Sequence, residues 1–139
     1  MGTQQLLLIV LGVIIVGIAI VVGIQMFGAS AVEANKNAIV QDALQVAAKA
    51  QQWYRKPEVL GGGGRKFTGF DLTKIGFDSP GTDEATADST ENGKIWLTVN
   101  PNYIIIHVRG KEQGADGNLI ELQDTVYADR VSSPYWVHQ

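Results

Sequence analysis

The first third of the chain changes from a uniformly apolar pattern to a mixed one. Every position in residues 6–24 is Leu, Ile, Val, Ala or Gly, and Met26 and Phe27 extend this run past Gln25. A helix needs about 20 apolar residues to cross about 30 Å of hydrocarbon. The run therefore predicts an apolar helix that must be covered by lipid or by other apolar helices.

Sixteen side chains are predicted to form this covered surface, because they are large, apolar and distributed around the whole helix. They are Leu6, Leu7, Leu8, Ile9, Val10, Leu11, Val13, Ile14, Ile15, Val16, Ile18, Ile20, Val21, Val22, Ile24 and Phe27. Many are β-branched and would weaken a helix in water, but in lipid the backbone must satisfy its own hydrogen bonds, which favours helix over strand. Gly23 and Gly28 are candidate bend positions near the end of the run.

A cleaved secretory signal is the alternative interpretation of such a run. Signal peptides carry a basic segment before a shorter apolar stretch and end at a cleavage site of small residues. No Lys or Arg precedes Leu6, and no ionisable side chain occurs before Glu33. We therefore expect the apolar helix to be retained in the working molecule.

The helix is predicted to continue in an amphipathic form, because neither proline nor a turn cluster interrupts the chain before Pro57. Apolar residues recur at helical spacing, and polar residues occupy the other face. The apolar stripe consists of Val32, Ile39, Ala43, Val46, Ala50 and Trp53, widened by Val40, Leu44, Ala47 and Tyr54. One helix from near Thr3 to near Arg55 follows, and it would extend roughly 80 Å.

The rest of the chain predicts a small antiparallel sheet. Pro57 and the glycines at 61–64 indicate a flexible connection, and residues 78–93 read as an exposed acidic loop rather than a calcium site. Strands are predicted at 94–99, 103–109 and 119–127, with a last short strand or tail around Trp136. The fold class is therefore α+β, with a long N-terminal helix against a β-meander. The chain divides into residues 1–29, 30–56, 57–93 and 94–139.

Charge and chemistry narrow the function. The 139 residues carry a formal charge of −3 and no cysteine, so nucleic-acid binding, thiolate metal sites and haem attachment through cysteine are not expected. His107 and His138 are the only candidate bases at neutral pH, and the alternation around His107 favours a place on one sheet face. Asp124 and Asp129 lie in no catalytic motif. We expect no enzymatic activity and no cofactor.

The arrangement resembles the type IV pilin and pseudopilin class. The likeness is strongest in Gln5-Leu6-Leu7-Leu8-Ile9-Val10 and in Ala47-Ala48-Lys49-Ala50-Gln51-Gln52-Trp53-Tyr54. In that class an acidic residue usually precedes the apolar run. With Met1 as the mature start this position falls on Gln5, which would make an N-terminal polar contact; with Gly2 as the cleavage residue, Thr3 is the first residue and the position falls on Leu7.

The resemblance implies a structural subunit of an extracellular pilus-like filament. Its partners would be other copies of itself, an inner-membrane assembly machinery and, before assembly, the lipid bilayer. Adhesion, motility, DNA uptake, secretion and electron transfer are all compatible with such a fibre. The alternative is a single-span accessory subunit, minor or pseudopilin-like, of a secretion or pilus machine.

Overall fold

The computed structural model describes residues 2–139 and shows an α+β chain. Helix α1 spans Gly2–Arg55, which confirms the predicted helix almost residue for residue. Met1, one of the two candidate first residues of the mature chain, lies outside the described residues. The chain forms two compact units, Met1–Glu33 and Ala34–Gln139.

Five strands follow the helix and form one antiparallel sheet in the order β1-β2-β3-β4-β5. Their bounds are Asp88–Ser89, Gly93–Val99, Tyr103–Gln113, Leu119–Tyr127 and Tyr135–His138. Neighbours in sequence are neighbours in the sheet, so the meander needs only short reversals. The turn between β2 and β3 is closed by a hydrogen bond of 2.9 Å, which the amide of Asn100 donates to the carbonyl of Tyr103.

The side of the sheet that packs on α1 carries the core. On β3 the alternation is exact, since Ile104, Ile106 and Val108 are buried while the residues between them are only half-buried. The helix contributes one buried stripe to this core: Ile39, Ala43, Val46, Ala47 and Ala50. Three alanines in that stripe allow the helix and the sheet to approach closely, because their side chains occupy little space.

The structure differs from the sequence prediction at several places. Strand β3 continues to Gln113, whereas the prediction ended it at residue 109. Leu44, assigned to the apolar stripe, is 43% exposed, whereas Ala43 and Ala47 are buried, so Leu44 lies at the edge of the buried stripe. Strand β1 lies within the predicted loop. Asp88 pairs with Ile95 and Ser89 with Lys94 through their backbones. Polar residues can form such backbone pairs, but a search for alternating apolar residues does not find them.

The connection after α1 has a defined hydrogen-bonded structure rather than that of a loose tether. The amide of Gly63 donates to the carbonyl of Trp53 and the amide of Gly64 to that of Lys56, at 2.9 and 3.0 Å. Gly61 adopts a left-handed conformation with φ of 81°, which glycine tolerates without strain. The glycine run therefore folds back onto the end of the helix.

The segment after this connection enters the core through its aromatic residues. Phe67 and Phe70 are buried, and Phe70 packs against Trp53 with ring centroids 5.2 Å apart. A 3₁₀ turn at Leu72–Ile75 buries Leu72. These buried side chains anchor the segment to the core.

Candidate functional site in the apolar helix

The N-terminal part of α1 exposes all of its large apolar side chains. The sixteen predicted residues, together with Met26, are each 47–76% exposed, although they belong to the most apolar segment of the chain. They occur at every angle around the helix, because nearly every position from 6 to 27 is apolar. By length and composition this helix is able to cross a membrane.

The glycines in this part of α1 also face open space. A methyl group added at Gly12, Gly17, Gly23 or Gly28 would meet nothing within 4 Å. Packing within the described chain therefore gives no reason for glycine at these positions, whereas small residues do let a neighbouring helix approach closely. Gly23 and Gly28, the two predicted bend positions, both lie within the helix.

Gln5 lies in the first two turns of α1 and is exposed. The first turn of the helix contains no acidic residue, and Gln5 is the polar residue directly before the apolar run. It can donate and accept hydrogen bonds but carries no charge.

The amphipathic part of α1 is held to the sheet by polar side chains that the sequence did not indicate. The carboxamide of Asn35 donates to the carbonyl of Asn92 at 2.9 Å. Its oxygen accepts from the amides of Lys111 and Glu112, at 2.9 and 3.3 Å, beside the irregular register of β3. One side chain therefore joins α1 both to the residue before β2 and to strand β3. We call it the Asn35 bracket.

Further contacts follow along the same helix. Asn92 donates to the carboxylate of Asp42 at 2.9 Å, and Gln51 donates to the carbonyl of Tyr127 at 3.0 Å. Lys49 donates to the carbonyl of Ile75 at 3.3 Å. Polar residues in an amphipathic helix usually face solvent. The contacts of Asp42, Lys49 and Gln51 can therefore be recognised only from the folded structure, in which the rest of the chain lies against the helix.

The opposite side of the sheet carries His107 in a stacked cluster. Its ring is parallel to that of Trp96, with centroids 5.2 Å apart, and its Nε2 atom lies 3.0 Å from the Thr98 hydroxyl. Burial lowers the pKa of His107, and the nearby Glu121 carboxylate partly opposes that shift. The predicted place of His107 on one face of the sheet, opposite the isoleucines, is confirmed.

Arg109 joins this cluster to the acidic loop. Its guanidinium pairs with Glu84 and, at 3.0 Å, with Glu121, and it lies 5.1 Å from the centre of the Trp96 ring. The hydrogen bond to Glu84 is the main cause that raises the pKa of Arg109, and burial opposes it. The loop is thereby held against the sheet.

The remaining candidate residues, Asp124, Asp129 and His138, each contact different neighbours. Asp124 is 1% exposed among the core residues of β4, where burial raises its pKa and a hydrogen bond from Ser132 opposes this shift. Asp129 is exposed beside Arg130. His138 lies 2.8 Å from the Asp116 carboxylate at the surface. Within residues 2–139, no group of three or more His, Asp or Glu residues is arranged to hold a metal ion.

Comparison of the chain with protein-family models, with curated proteins and with solved structures gives no match.

Proposed function

We propose that this chain is the structural subunit of an extracellular, type IV pilus-like filament that polymerises through the apolar part of α1. The observation that carries the proposal is the exposure of the large apolar side chains of residues 6–27 on every side of the helix. Such an extended apolar surface on a soluble protein marks a binding or membrane surface.

The hydrophobic effect supplies the driving force. Burying a large apolar side chain stabilises by about 1.5–3 kcal/mol, so a helix with sixteen or more of them is strongly driven out of water. Lipid can provide this burial while the subunit is stored in the inner membrane. Outside lipid, the same burial requires apolar helices of other copies, and the open space at the helix glycines suits such close neighbours.

The second candidate is a single-span accessory subunit of a secretion or pilus machine. The length and composition of the apolar helix, which suit a membrane span, favour this accessory role as much as they favour the filament. The two functions differ in what surrounds the helix in the final state: other copies in a fibre, or lipid.

Electron microscopy and protein analysis of material sheared from cells test the proposal. We expect fibres in which this chain is the chief protein, and intact mass analysis of the subunit then establishes whether Met1 or Thr3 is its first residue. Cells that produce the chain in quantity, retain it in the membrane and release no fibre would support the accessory role and contradict the proposal.

A further inference from the structure

The turn at residues 57–64 exposes two apolar side chains on a fixed frame. Val59 is 97% exposed and Leu60 is 65% exposed. Together with Tyr135, they are the most exposed large apolar residues of Ala34–Gln139. Hydrogen bonds hold the backbone around them: the amides of Leu60 and Gly62 both donate to the carbonyl of Pro57, at 3.0 and 3.1 Å. We call residues 57–64 the apolar turn.

The apolar turn is surrounded by uncompensated positive charge. Residues 55–66 contain four basic side chains and one acidic one, Glu58. The basic residues are Arg55, Lys56, Arg65 and Lys66, and all four are exposed. Within residues 2–139, none of them lies at ion-pair distance from a carboxylate. The turn is therefore apolar at Val59 and Leu60, and we call the four basic residues that flank it in sequence the basic rim.

The acidic loop has the opposite character. Residues 78–91 contain five acidic side chains and no basic one. Arg109 engages Glu84, whereas Asp78, Asp83, Asp88 and Glu91 form no ion pair among the residues the structure describes. Pro80 and Ala85 add exposed apolar surface between these charges.

The loop is also preformed. The Asp88 carboxylate accepts from the amides of Asp78 and Ser79, at 2.9 and 3.1 Å, and the Asp83 carboxylate accepts from the amide of Thr86 at 2.8 Å. Hydrogen bonds from Thr86 are also the main cause that lowers the pKa of Asp83. Binding between two preformed surfaces loses little conformational entropy, which favours association.

The two surfaces are attached at different levels of α1. Asn92, next to the end of the acidic loop, is bonded to Asp42, whereas the apolar turn is bonded to Trp53 and Lys56. Helix positions 42 and 53 are about 17 Å apart along the axis at 1.5 Å per residue. Among the residues that the structure describes, no ion pair joins the basic residues beside the apolar turn to the carboxylates of the acidic loop in the same chain.

We propose that the apolar turn of one copy docks onto the acidic loop of a second copy, with Val59 and Leu60 against Pro80 and Ala85 and the basic rim against the loop carboxylates that form no ion pair. This inference rests on the proposed function, for which it supplies a contact outside the apolar helix. Because the two surfaces differ, the contact is head to tail, and a head-to-tail contact that does not close into a ring builds an open helical polymer.

Disulfide trapping tests the contact directly, since the chain contains no cysteine. The full-length variant carrying Leu60→Cys and Ala85→Cys is oxidised in cell membranes and in sheared fibres. We expect a ladder of covalent dimers, trimers and longer species. Each single-cysteine variant cannot form the ladder, and Leu44→Cys with Ala85→Cys is the matched control for chance collision of an exposed helix position.

Charge reversal then tests the rim. Lys56→Glu with Lys66→Glu should lower the yield of the ladder about fivefold, and Asp78→Lys with Glu91→Lys should do the same, because like charges then meet. The chain carrying all four changes has its complementarity restored, so its yield should recover. Recovery distinguishes a direct contact from damage to the fold, which further substitutions would not repair.

The outcomes separate this inference from the proposed function. Fibres without a 60–85 ladder above the Leu44 control would overturn the docking contact and leave the filament in place. A ladder in membranes of cells that make no fibre would support the contact and contradict the filament. Protection of Leu60→Cys from a thiol reagent by anionic phospholipid vesicles, with no ladder in either preparation, would identify a membrane surface as the occupant and overturn the inference.

Discussion

The two parts of α1 have the same secondary structure but opposite relations to their surroundings. Between positions 6 and 27 the large apolar side chains are all exposed, whereas in Ala34–Arg55 the apolar residues form one stripe that the sheet buries. Polar side chains are nearly absent from the first part and bind the sheet backbone in the second. One part packs its apolar side chains within its own chain, and the other leaves them exposed.

The largest expected effect comes from removing a core side chain in the second part. Ile39→Ala should lower the free energy of unfolding of Ala34–Gln139 by about 2–5 kcal/mol, because it leaves a cavity at a fully buried position. Denaturation of the full chain in detergent, followed by tryptophan fluorescence, measures it. The matched variant Ile15→Ala, in the exposed part, should leave this transition unchanged. Equal effects of both variants would remove the distinction between the two parts.

A charge placed in the first part should weaken burial. Ile15→Lys costs about 3 kcal/mol at the centre of a membrane helix, which lowers the equilibrium ratio of buried to extracted helix roughly a hundredfold. The remaining apolar side chains still favour burial, so we expect a shift of protein toward the extracted fraction rather than complete release. Carbonate extraction and fibre sedimentation provide the measurement. Gln45→Lys, at an exposed position of the second part, is the control and should not change either fraction.

The Asn35 bracket should make a smaller contribution. Asn35→Ala removes the acceptor for two backbone amides and a donor to Asn92, which should cost about 1 kcal/mol or more. Asn37→Ala, on the exposed face, experiences the same gain in helix propensity without losing these contacts. The difference in unfolding free energy between the two variants measures the bracket. Identical values would show that the bracket adds nothing.

Asp124 should give the sheet a pH dependence. Because burial raises its pKa in the folded state above the ordinary value of 3.8, folding favours the protonated carboxyl. Its stabilising contribution is complete below pH 3.8 and is lost as the pH rises through the folded pKa. Asp124→Asn should therefore gain stability relative to the wild type over that interval and keep the gain at higher pH. Unfolding free energies measured between pH 3 and pH 8 would show it; parallel curves would contradict it.

The sequence predicted the helix and the strands because their signals are local. The apolar run, the helical spacing around Ile39 and the alternation around His107 each fix an element without reference to the rest of the chain. Leu44 was placed wrongly because helical spacing does not define how wide a strip the sheet covers. Strand β1 was missed because Asp88 and Ser89 pair only through their backbones.

The candidate site divides in the same way. The exposed surface of the apolar helix follows from composition, since nothing polar is present to restrict it to one face. The Asn35 bracket could not be predicted from composition, because the side chain of Asn35 finds its partners only when folding brings Lys111 and Glu112 opposite it. The apolar turn was likewise hidden, since four glycines suggest mobility unless their hydrogen bonds to Trp53 and Lys56 are known.

The edges of the sheet have a consequence for the kind of fibre this chain could form. Strand β1 has two residues and β5 has four, and the amide of Ala115 bonds the carbonyl of Gln139 immediately after β5. Short edge strands present few unpaired backbone groups, so they resist the addition of further strands. Diffraction from oriented fibres should therefore lack the ~4.7 Å meridional reflection of stacked strands, and the repeat along the axis should come from whole subunits.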